Sequence, residues 1–276
     1  MFKTLVSVDG VKEHLGDGHF VIVDCRFDLS RPEAGREAYL ASHVPGAVYA
    51  RLDEDLSGLA GWSKGRHPLP SPQAMTALFS RLGIDETKQV VVYDSSEGSI
   101  SARLWWMLRF MGHEGVALLD GGWPVWIRAN LPHRSGEEGN AVALFEGQPR
   151  SDRLVRIEEI ASPRLLVDSR DPSRYRGEHE PIDPVAGHIP GAVNHFWREN
   201  LDPSGRFLPQ AQLRERFQRV TENTPTEEVV FYCGSGVTAC HNIVAAVHSG
   251  LPEPRLYAGS WSEWCSDPGR PVATGA

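Results

Sequence analysis

The stretch VIVDCR, at residues 21–26, occurs a second time in the chain as LLVDSR, at residues 165–170. Three further pairs follow in the same order: HVPGAV at 43–48 and HIPGAV at 188–193, VVVYD at 90–94 and VVFYC at 229–233, GGWPVW at 121–126 and GSWSEW at 259–264. Four matches in one order and at nearly constant separation indicate a tandem duplication. Because the chain has 276 residues, each half has the length of an ordinary domain.

Each half alternates short β-branched runs with helical patterns. This alternation is typical of βα units around a buried parallel sheet. The stretch at 134–152 is polar and glycine-rich and has no long apolar period, so we interpret it as a linker. We therefore predict an α/β protein of two similar domains, residues 1–133 and 153–276, each with a mainly parallel central sheet flanked by helices.

Composition excludes several classes of function. The chain has 28 Lys and Arg against 36 Asp and Glu, a net charge of −8, and no basic run that could follow a nucleic-acid backbone. Its apolar runs are far shorter than the ~20 residues of a membrane-spanning helix. The N-terminus lacks the pattern of a signal peptide. We therefore expect no nucleic-acid or membrane partner, and a cytoplasmic protein.

The four cysteines are too few for a disulfide framework and show no CxxC spacing, so we expect thiols, no metal site and no cofactor. Among them, Cys233 ends the run VVFYC and is followed by GSGVTA. The carboxyl end of a strand that leads into a helix is where open α/β sheets bind ligands.

The residues after this cysteine are small. We expect their backbone N–H groups to curl around one centre at the start of a helix, in a loop formed by Gly234, Ser235, Gly236, Val237 and Thr238. Such a setting favours the thiolate form of Cys233, which is the nucleophilic form. The first repeat has Asp94 at the same position, a residue that can cap a helix but is not a sulfur nucleophile. The sequence therefore predicts one active and one inactive copy.

These segments resemble the tandem-domain rhodanese family of sulfurtransferases over nearly the whole chain. CGSGVTA, at 233–239, is similar to the active-site loop of the 3-mercaptopyruvate branch, whereas the thiosulfate branch carries basic residues inside this loop. The resemblance implies two rhodanese-like domains and a reaction through a Cys233 persulfide. The sulfur donor is then 3-mercaptopyruvate, with a thiosulfate-preferring enzyme as the alternative, and the acceptor is a thiol, such as thioredoxin or a small thiol, or cyanide.

The resemblance also implies a Ser-His-Asp relay made by Ser235, by His67 in HPLP and by Asp53 in RLDED. This relay would polarise the donor carbonyl or protonate the leaving enolate. His67 and Asp53 come from the first repeat, so residues of both repeats would serve one site. Without the resemblance, a loop histidine and a solvated acidic turn are the simpler interpretations of these two residues.

Carboxylate recognition calls for a cation, and a guanidinium fits a carboxylate best. The resemblance assigns substrate binding to Arg174, with Arg176 as a second candidate that could instead be a solvated surface residue. Where the animal enzymes carry a further arginine, this chain reads EPID, at 180–183. Donor preference therefore stays open between 3-mercaptopyruvate and thiosulfate.

Two other functions compete with sulfur transfer as interpretations of the Cys233 loop. A phosphatase of the Cys-x5-Arg type needs a guanidinium at the sixth position after the cysteine, and that position is Ala239. A noncatalytic sulfur-binding or regulatory module is disfavoured because Cys233 and its loop are intact.

Features shared by both repeats are interpreted as structural. They are the pairs Asp24 and Arg26, and Asp168 and Arg170, the histidines His43 and His188, and the tryptophans Trp123, Trp126, Trp261 and Trp264. Cys240, seven residues after Cys233, is interpreted as a core residue, too far along a helix for a disulfide.

Overall fold

The computed structural model describes residues 1–58, 65–160, 165–222, 224–225 and 228–276. These residues form two compact units. The first unit contains Met1–Gly58, Pro70–Arg150 and Ser204–Arg206, and the second contains Ser151–Pro203, Phe207–Ala276 and the described part of Leu59–Leu69. Residues 65–69 therefore pack with the second unit, although they lie in the first repeat of the sequence.

The first unit is built on a five-stranded parallel sheet. Its strands are β1 (Leu5–Val6), β2 (Phe20–Asp24), β3 (Val48–Tyr49), β4 (Gln89–Tyr93) and β5 (Val116–Leu119), in the spatial order β1-β5-β4-β2-β3. Its helices are α1 (Val8–Lys12), α2 (Ala34–Ala41), α3 (Pro72–Arg81), α4 (Ser101–Phe110) and α5 (Gly122–Arg128). The central strand β4 is buried along its whole length, as expected of a valine run covered on both faces.

The second unit repeats this arrangement. Its strands are β6 (Leu154–Val155), β7 (Leu166–Asp168), β8 (Val193–Asn194), β9 (Val230–Tyr232) and β10 (Arg255–Tyr257), in the order β6-β10-β9-β7-β8, and all pair in parallel. Its α-helices are α6 (Pro172–Tyr175), α7 (Gln210–Thr221), α8 (Thr238–His248) and α9 (Ser260–Trp264), with 3₁₀ turns at Ser151–Arg153, Ile157–Glu159 and Trp197–Asn200. The predicted fold class is confirmed.

The registers of the two sheets agree residue by residue. Asp24 pairs with Tyr93 in the first sheet, and Asp168 pairs with Tyr232 in the second. Since Tyr93 directly precedes Asp94, and Tyr232 directly precedes Cys233, the two residues that differ most between the repeats occupy the same place at the carboxyl edge of a sheet.

An ion pair supports this edge in both units. Arg26 bonds to Asp24, and Arg170 to Asp168, with the shortest N···O distance 2.6 Å in each pair and both carboxylates fully buried. Each guanidinium also lies over a tryptophan ring, Arg26 over Trp123 and Arg170 over Trp261. The expectation of structural ion pairs is confirmed.

Other shared residues also have structural roles. Trp126 and Trp261 are fully buried in the two cores, while Trp123 and Trp264 are partly buried against them.

Cys240 is fully buried, and its thiol donates to the Gly236 carbonyl at 3.3 Å, as expected of a core cysteine.

The histidines of the repeated HxPGAV segments are buried as well. Nδ1 of His43 lies 2.7 Å from the Tyr39 carbonyl, and Nδ1 of His188 lies 2.8 Å from the Tyr175 carbonyl. Each imidazole also stacks on the ring of that tyrosine. Both rings therefore hold their segment against a helix end, which confirms the structural interpretation.

His195, in the second unit, links stability to pH. Its ring is buried near Phe217, and this burial, with a smaller effect of Arg216, lowers its pKa from 6.5 to about 4. The unfolded chain therefore binds a proton between about pH 6.5 and about pH 4 that the folded chain does not, so stability falls as pH falls through this window. We expect His195→Gln to remove about 2 to 3 kcal/mol of this acid destabilisation in urea titrations at both ends of the window. Equal pH dependence in wild type and variant would contradict the assignment.

Within the described ranges, no helix is both long enough and apolar enough to cross a bilayer.

Candidate functional site

Cys233 lies at the carboxyl end of β9, and α8 begins five residues later at Thr238. Strand β9 is the central strand of its sheet. The thiol is therefore at the edge where open α/β sheets bind ligands, next to a helix N-terminus. The residue is only 2% exposed, so water has little access to the sulfur in this conformation.

The first turn of α9 holds the cysteine loop in place. The N–H groups of Trp261 and Ser262 donate to the carbonyls of Cys233 and Gly234, at 3.0 and 2.9 Å. The hydroxyl of Ser260 accepts from the Cys233 N–H at 3.1 Å and donates to the Tyr257 carbonyl at 2.9 Å. Ser260 is fully buried and has a left-handed backbone, with φ of 56°. It therefore fixes the backbone at Cys233, the predicted nucleophile.

The loop offers several unused hydrogen-bond donors. Within the described part of the chain, the N–H groups of Gly234, Ser235, Val237, Thr238 and Ala239 donate to no protein acceptor. In the same described part, no hydrogen bond reaches the Cys233 sulfur itself. These N–H groups are therefore available to an anion that the site acquires, such as the outer sulfur of a persulfide. Stabilisation of the thiolate by this loop stays a prediction.

The first unit shows what the corresponding loop does when it contains an anion. The Asp94 carboxylate is fully buried and accepts four backbone N–H hydrogen bonds. They come from Ser96, Gly98, Ile100 and Ser101, at 2.8, 2.9, 2.9 and 2.7 Å. Asp94 therefore caps the start of α4, as expected, and fills its own cradle with a fixed negative charge.

The two loops also share an unusual backbone conformation. The third residue after Asp94 is Glu97, with φ of 63°, and the third residue after Cys233 is Gly236, with φ of 73°. A left-handed residue at this point turns successive N–H groups toward one side of the loop. The two loops therefore share this turn, although the first is two residues longer, since α4 begins seven residues after Asp94 and α8 five residues after Cys233.

We expect Asp94→Ala to lower the free energy of unfolding by about 3 kcal/mol, because four N–H donors and the start of α4 lose a buried charged acceptor. The matched control is Asp85→Ala, which removes a carboxylate that accepts from the Thr87 N–H in an exposed turn. This control is expected to cost less than about 1 kcal/mol. Equal losses in urea unfolding would contradict the role assigned to Asp94.

Two of the three predicted relay residues are in contact. Nδ1 of His67 lies 2.8 Å from the Ser235 hydroxyl, and both residues are buried, with 7% and 6% exposure. Asp53 belongs to the first unit, where Arg51 donates to its two carboxylate oxygens at 2.6 and 3.2 Å. The role of Asp53 in the relay stays a prediction.

The predicted substrate arginines have different surroundings. Arg174 lies in the last turn of α6. It donates to Glu180 at 3.0 and 2.7 Å and to Asp183 at 3.1 Å, and only 16% of its side chain is exposed. Arg176 pairs with Glu178 at 2.7 and 2.8 Å, and 39% of its side chain is exposed. Arg174 therefore lies in a shielded acidic network, and Arg176 in a surface ion pair.

Glu180 stays ionised in that network. Burial raises the pKa of its carboxyl, but hydrogen bonds from Arg174 and from the N–H groups of Asp183 and Ile182 outweigh burial and hold the pKa below its usual value. Glu180 therefore keeps the Arg174 guanidinium in one orientation as a fixed negative partner.

Sequence reasoning missed two residues of this region, Arg66 and Ser260. Arg66 directly precedes His67, and its Nη1 donates to the Asp183 carboxylate at 2.5 Å. The only available signal was its adjacency to a candidate histidine. For Ser260 the signal was the recurrence of its segment in both repeats, which marks a structural element but not a partner of Cys233.

The chain is similar to known proteins over nearly its whole length. A family model described as the rhodanese-like domain matches residues 7–129 and 154–267. A protein of Pseudomonas aeruginosa, provisionally named 3-mercaptopyruvate sulfurtransferase, is 45% identical over 98% of each chain. A protein of Mycobacterium tuberculosis, provisionally named thiosulfate sulfurtransferase SseB, is 40% identical over 92% of this chain and 90% of its own.

A solved structure is similar as well. The 3-mercaptopyruvate sulfurtransferase from Leishmania major superposes with a TM-score of 0.84 at 31% identity, over 96% of this chain and 74% of its own.

Proposed function

Because this chain belongs to the rhodanese family and is a sulfurtransferase, we propose that it takes its sulfur from 3-mercaptopyruvate and carries it on Cys233. The observation that carries this proposal is the position of Cys233 at the end of the central strand. Just after it, the N–H groups of Gly234, Ser235, Val237, Thr238 and Ala239 donate to no acceptor in the described part of the chain. The cradle around Asp94 supports the use of such a loop for an anion.

The first half-reaction loads the cysteine. The Cys233 thiolate attacks the donor sulfur, an S–S bond forms, and the C–S bond breaks with its electron pair moving to carbon. The enolate of pyruvate leaves and takes up the proton that the donor thiol releases. The outer sulfur of the persulfide then carries negative charge, and the free N–H groups of the loop stabilise this charge.

The second half-reaction unloads the cysteine. An acceptor thiolate attacks the outer sulfur, the S–S bond to Cys233 breaks, and the Cys233 thiolate is regenerated. We propose a small thiol or a thioredoxin-type dithiol as acceptor, with cyanide as a laboratory substitute.

All four cysteines are free thiols, which supports a reducing compartment such as the cytoplasm.

Two further groups of residues serve the donor in this proposal. The Ser235 hydroxyl, bonded to His67, polarises the donor carbonyl and guides the proton to the enolate carbon. The Arg174 guanidinium binds the donor carboxylate, because Glu180 and Asp183 orient it and it lies near Gly234, directly after the nucleophile.

The test is a side-by-side measurement of kcat/KM for 3-mercaptopyruvate and thiosulfate with the same acceptor. We expect a value at least about tenfold higher for 3-mercaptopyruvate, because only that donor has a carbonyl and a carboxylate for these residues. A higher value for thiosulfate would transfer the donor assignment to thiosulfate.

A further inference from the structure

The cysteine loop has two ends, and Ser169 is bonded to the elements on both sides of it. The loop runs from the end of β9, at Tyr232, to the start of α8, at Thr238. The Ser169 N–H donates to the Tyr232 carbonyl at 2.8 Å, on the strand side. The Ser169 hydroxyl accepts from the side-chain amide of Asn242, on α8, at 2.9 Å. Ser169 and Asn242 therefore fix the separation between the two ends of the loop.

Asn242 belongs to a buried polar network that uses both N–H groups and the oxygen of its amide. Its Nδ2 donates to the Ser169 hydroxyl and to the His195 carbonyl, each at 2.9 Å, and its Oδ1 accepts from Nδ2 of Asn200 at 2.6 Å. Nε2 of His195 lies 3.3 Å from Oδ1 of Asn200. Ser169, Asn200 and Asn242 are fully buried. These four residues, the Asn242 network, hold one arrangement, because any other arrangement leaves buried polar groups without partners.

The two sheets identify the corresponding residues of the first unit. Ser169 directly follows β7, and Cys25 directly follows β2, the strand at the same place in the first sheet. His195 directly follows β8, and Ala50 directly follows β3 in the same way. The first unit thus has a buried thiol and a buried methyl group at these places, and its helix α4 contains neither Asn nor Gln. The groups that build the network belong to the unit that contains the predicted nucleophile.

The two units hold their loops in different ways. In the first unit the Asp94 carboxylate accepts four backbone N–H groups, so the loop is held by one of its own residues. Within the described part of the chain no hydrogen bond reaches the Cys233 sulfur, and the loop donors have to stay available for a bound anion. Such a loop needs an anchor outside it, because a segment without internal hydrogen bonds has many accessible conformations. The bonds from Ser169 to β9 and α8 supply that anchor.

We propose that Asn242 is a positioning residue for sulfur transfer and that it acts through the Asn242 network. This inference rests on the proposed function. The network sets where the start of α8 lies relative to Cys233, and so keeps the loop N–H groups directed at the sulfur that arrives. Donors that are already in place stabilise the charge of the persulfide without reorganisation. A displacement of about 1 Å can lower a reaction rate by about 100-fold.

The test measures persulfide formation in single turnovers without acceptor, as pyruvate release from 3-mercaptopyruvate and as sulfite release from thiosulfate. We expect Asn242→Leu to lower the limiting rate constant by about 10- to 100-fold with both donors, because both form the same persulfide in the same loop. The half-saturating donor concentration should change by less than about threefold, since this role gives Asn242 no contact with the donor. A loss confined to one donor, or a change in the half-saturating concentration alone, would overturn the inference.

Gln89→Leu is the matched control. Gln89 is 4% exposed, its Nε2 bonds to three backbone carbonyls at 3.0 to 3.1 Å, and its Oε1 accepts a backbone N–H at 2.7 Å. It begins β4, at the opposite edge of the first sheet from Asp94. Both variants lose a bonded, buried amide, so both are expected to unfold at lower urea concentration than wild type. Only Gln89→Leu should keep its rate constant within about twofold of wild type, and equal rate constants in the two variants would assign Asn242 to folding alone.

Ser169→Cys tests the same network with a smaller change, and decides the matter if Asn242→Leu does not fold. The first unit has Cys25 at this place, so the fold accommodates the residue, and the backbone bond to Tyr232 is kept. A thiol is a weak acceptor, so the bond from Asn242 is weakened. We expect the limiting rate constant to fall by about 3- to 10-fold with both donors. An unchanged rate constant in this variant would overturn the inference.

The same measurements separate the positioning role from the donor assignment. If wild type forms the persulfide faster from thiosulfate than from 3-mercaptopyruvate, the donor assignment fails, and equal losses with both donors in Asn242→Leu still support the positioning role. If 3-mercaptopyruvate is preferred but Asn242→Leu behaves like Gln89→Leu, the donor assignment stands and the positioning role is wrong.

Discussion

Replacing Cys233 with serine is expected to lower sulfur transfer by at least about a thousandfold with every donor, because a hydroxyl cannot form a persulfide. The fold should be retained, since serine is close to cysteine in size and the hydrogen bonds at this point do not involve the side chain at residue 233. The Cys233 N–H donates to the Ser260 hydroxyl, and the N–H groups of Trp261 and Ser262 donate to the carbonyls of residues 233 and 234. Turnover is measured as pyruvate release with 3-mercaptopyruvate and as thiocyanate formation with thiosulfate and cyanide.

The control for this variant is Cys240→Ala. Cys240 lies on α8, seven residues along, and is fully buried like a core residue. Its removal is expected to cost stability but to leave kcat within about twofold of wild type, since the reaction does not use its thiol. If Cys233→Ser retained transfer while Cys240→Ala lost it, the wrong cysteine would have been assigned.

His67→Ala is expected to lower kcat for 3-mercaptopyruvate by about a hundredfold and to change turnover of thiosulfate by less than about threefold. Only 3-mercaptopyruvate releases a carbanion, the enolate of pyruvate, which must be protonated. Sulfite, the group that leaves from thiosulfate, needs no proton on carbon. The difference between the two donors is therefore the signature of a proton-handling role.

Ser235→Ala supplies the matching test, because the Ser235 hydroxyl lies 2.8 Å from Nδ1 of His67. We expect the same preference for thiosulfate in this variant, and the double variant should lose little more than either single variant, as for residues that act as one unit. Equal losses with both donors, or additive losses in the double variant, would remove the relay from the mechanism.

The fold could be predicted, and a candidate nucleophile could be chosen, because the sequence contains two copies of one unit that can be compared. Two copies of each motif identified the repeat. The copies differ at the end of the central strand, where one has Asp94 and the other has Cys233, and this difference marked the cysteine as the candidate. The shared pairs, such as Asp168 and Arg170, were identified as structural by the same logic, since a feature present in both copies is more easily explained by folding than by catalysis.

Tertiary partners could not be predicted in this way. Arg66 and Asp183 are 117 residues apart in sequence, and no periodic pattern connects them. The resemblance marked the segment EPID as a place where an arginine is missing. No feature of the sequence indicated that another segment brings a guanidinium, that of Arg66, to the Asp183 carboxylate.

The orientation of the backbone N–H groups after Cys233 could not be predicted from the sequence either. Small residues after Cys233 predicted a loop of N–H donors. Within the described ranges, five of these donors, in Gly234, Ser235, Val237, Thr238 and Ala239, have no protein acceptor, and none of the five is bonded to the Cys233 sulfur. Their orientation depends on the left-handed turn at Gly236 and on the anchor at Ser260, with φ values of 73° and 56°. Neither value follows from residue type alone.

The central claim is that Cys233 itself carries the transferred sulfur. The most direct measurement is a single turnover of purified protein with 3-mercaptopyruvate and no acceptor, followed by intact mass and peptide mapping. We predict a protein heavier by one sulfur atom, with that atom on the peptide that contains Cys233 and removable by cyanide as thiocyanate. Pyruvate release without added mass, or added sulfur on the peptides of Cys25 or Cys265 alone, would contradict the account.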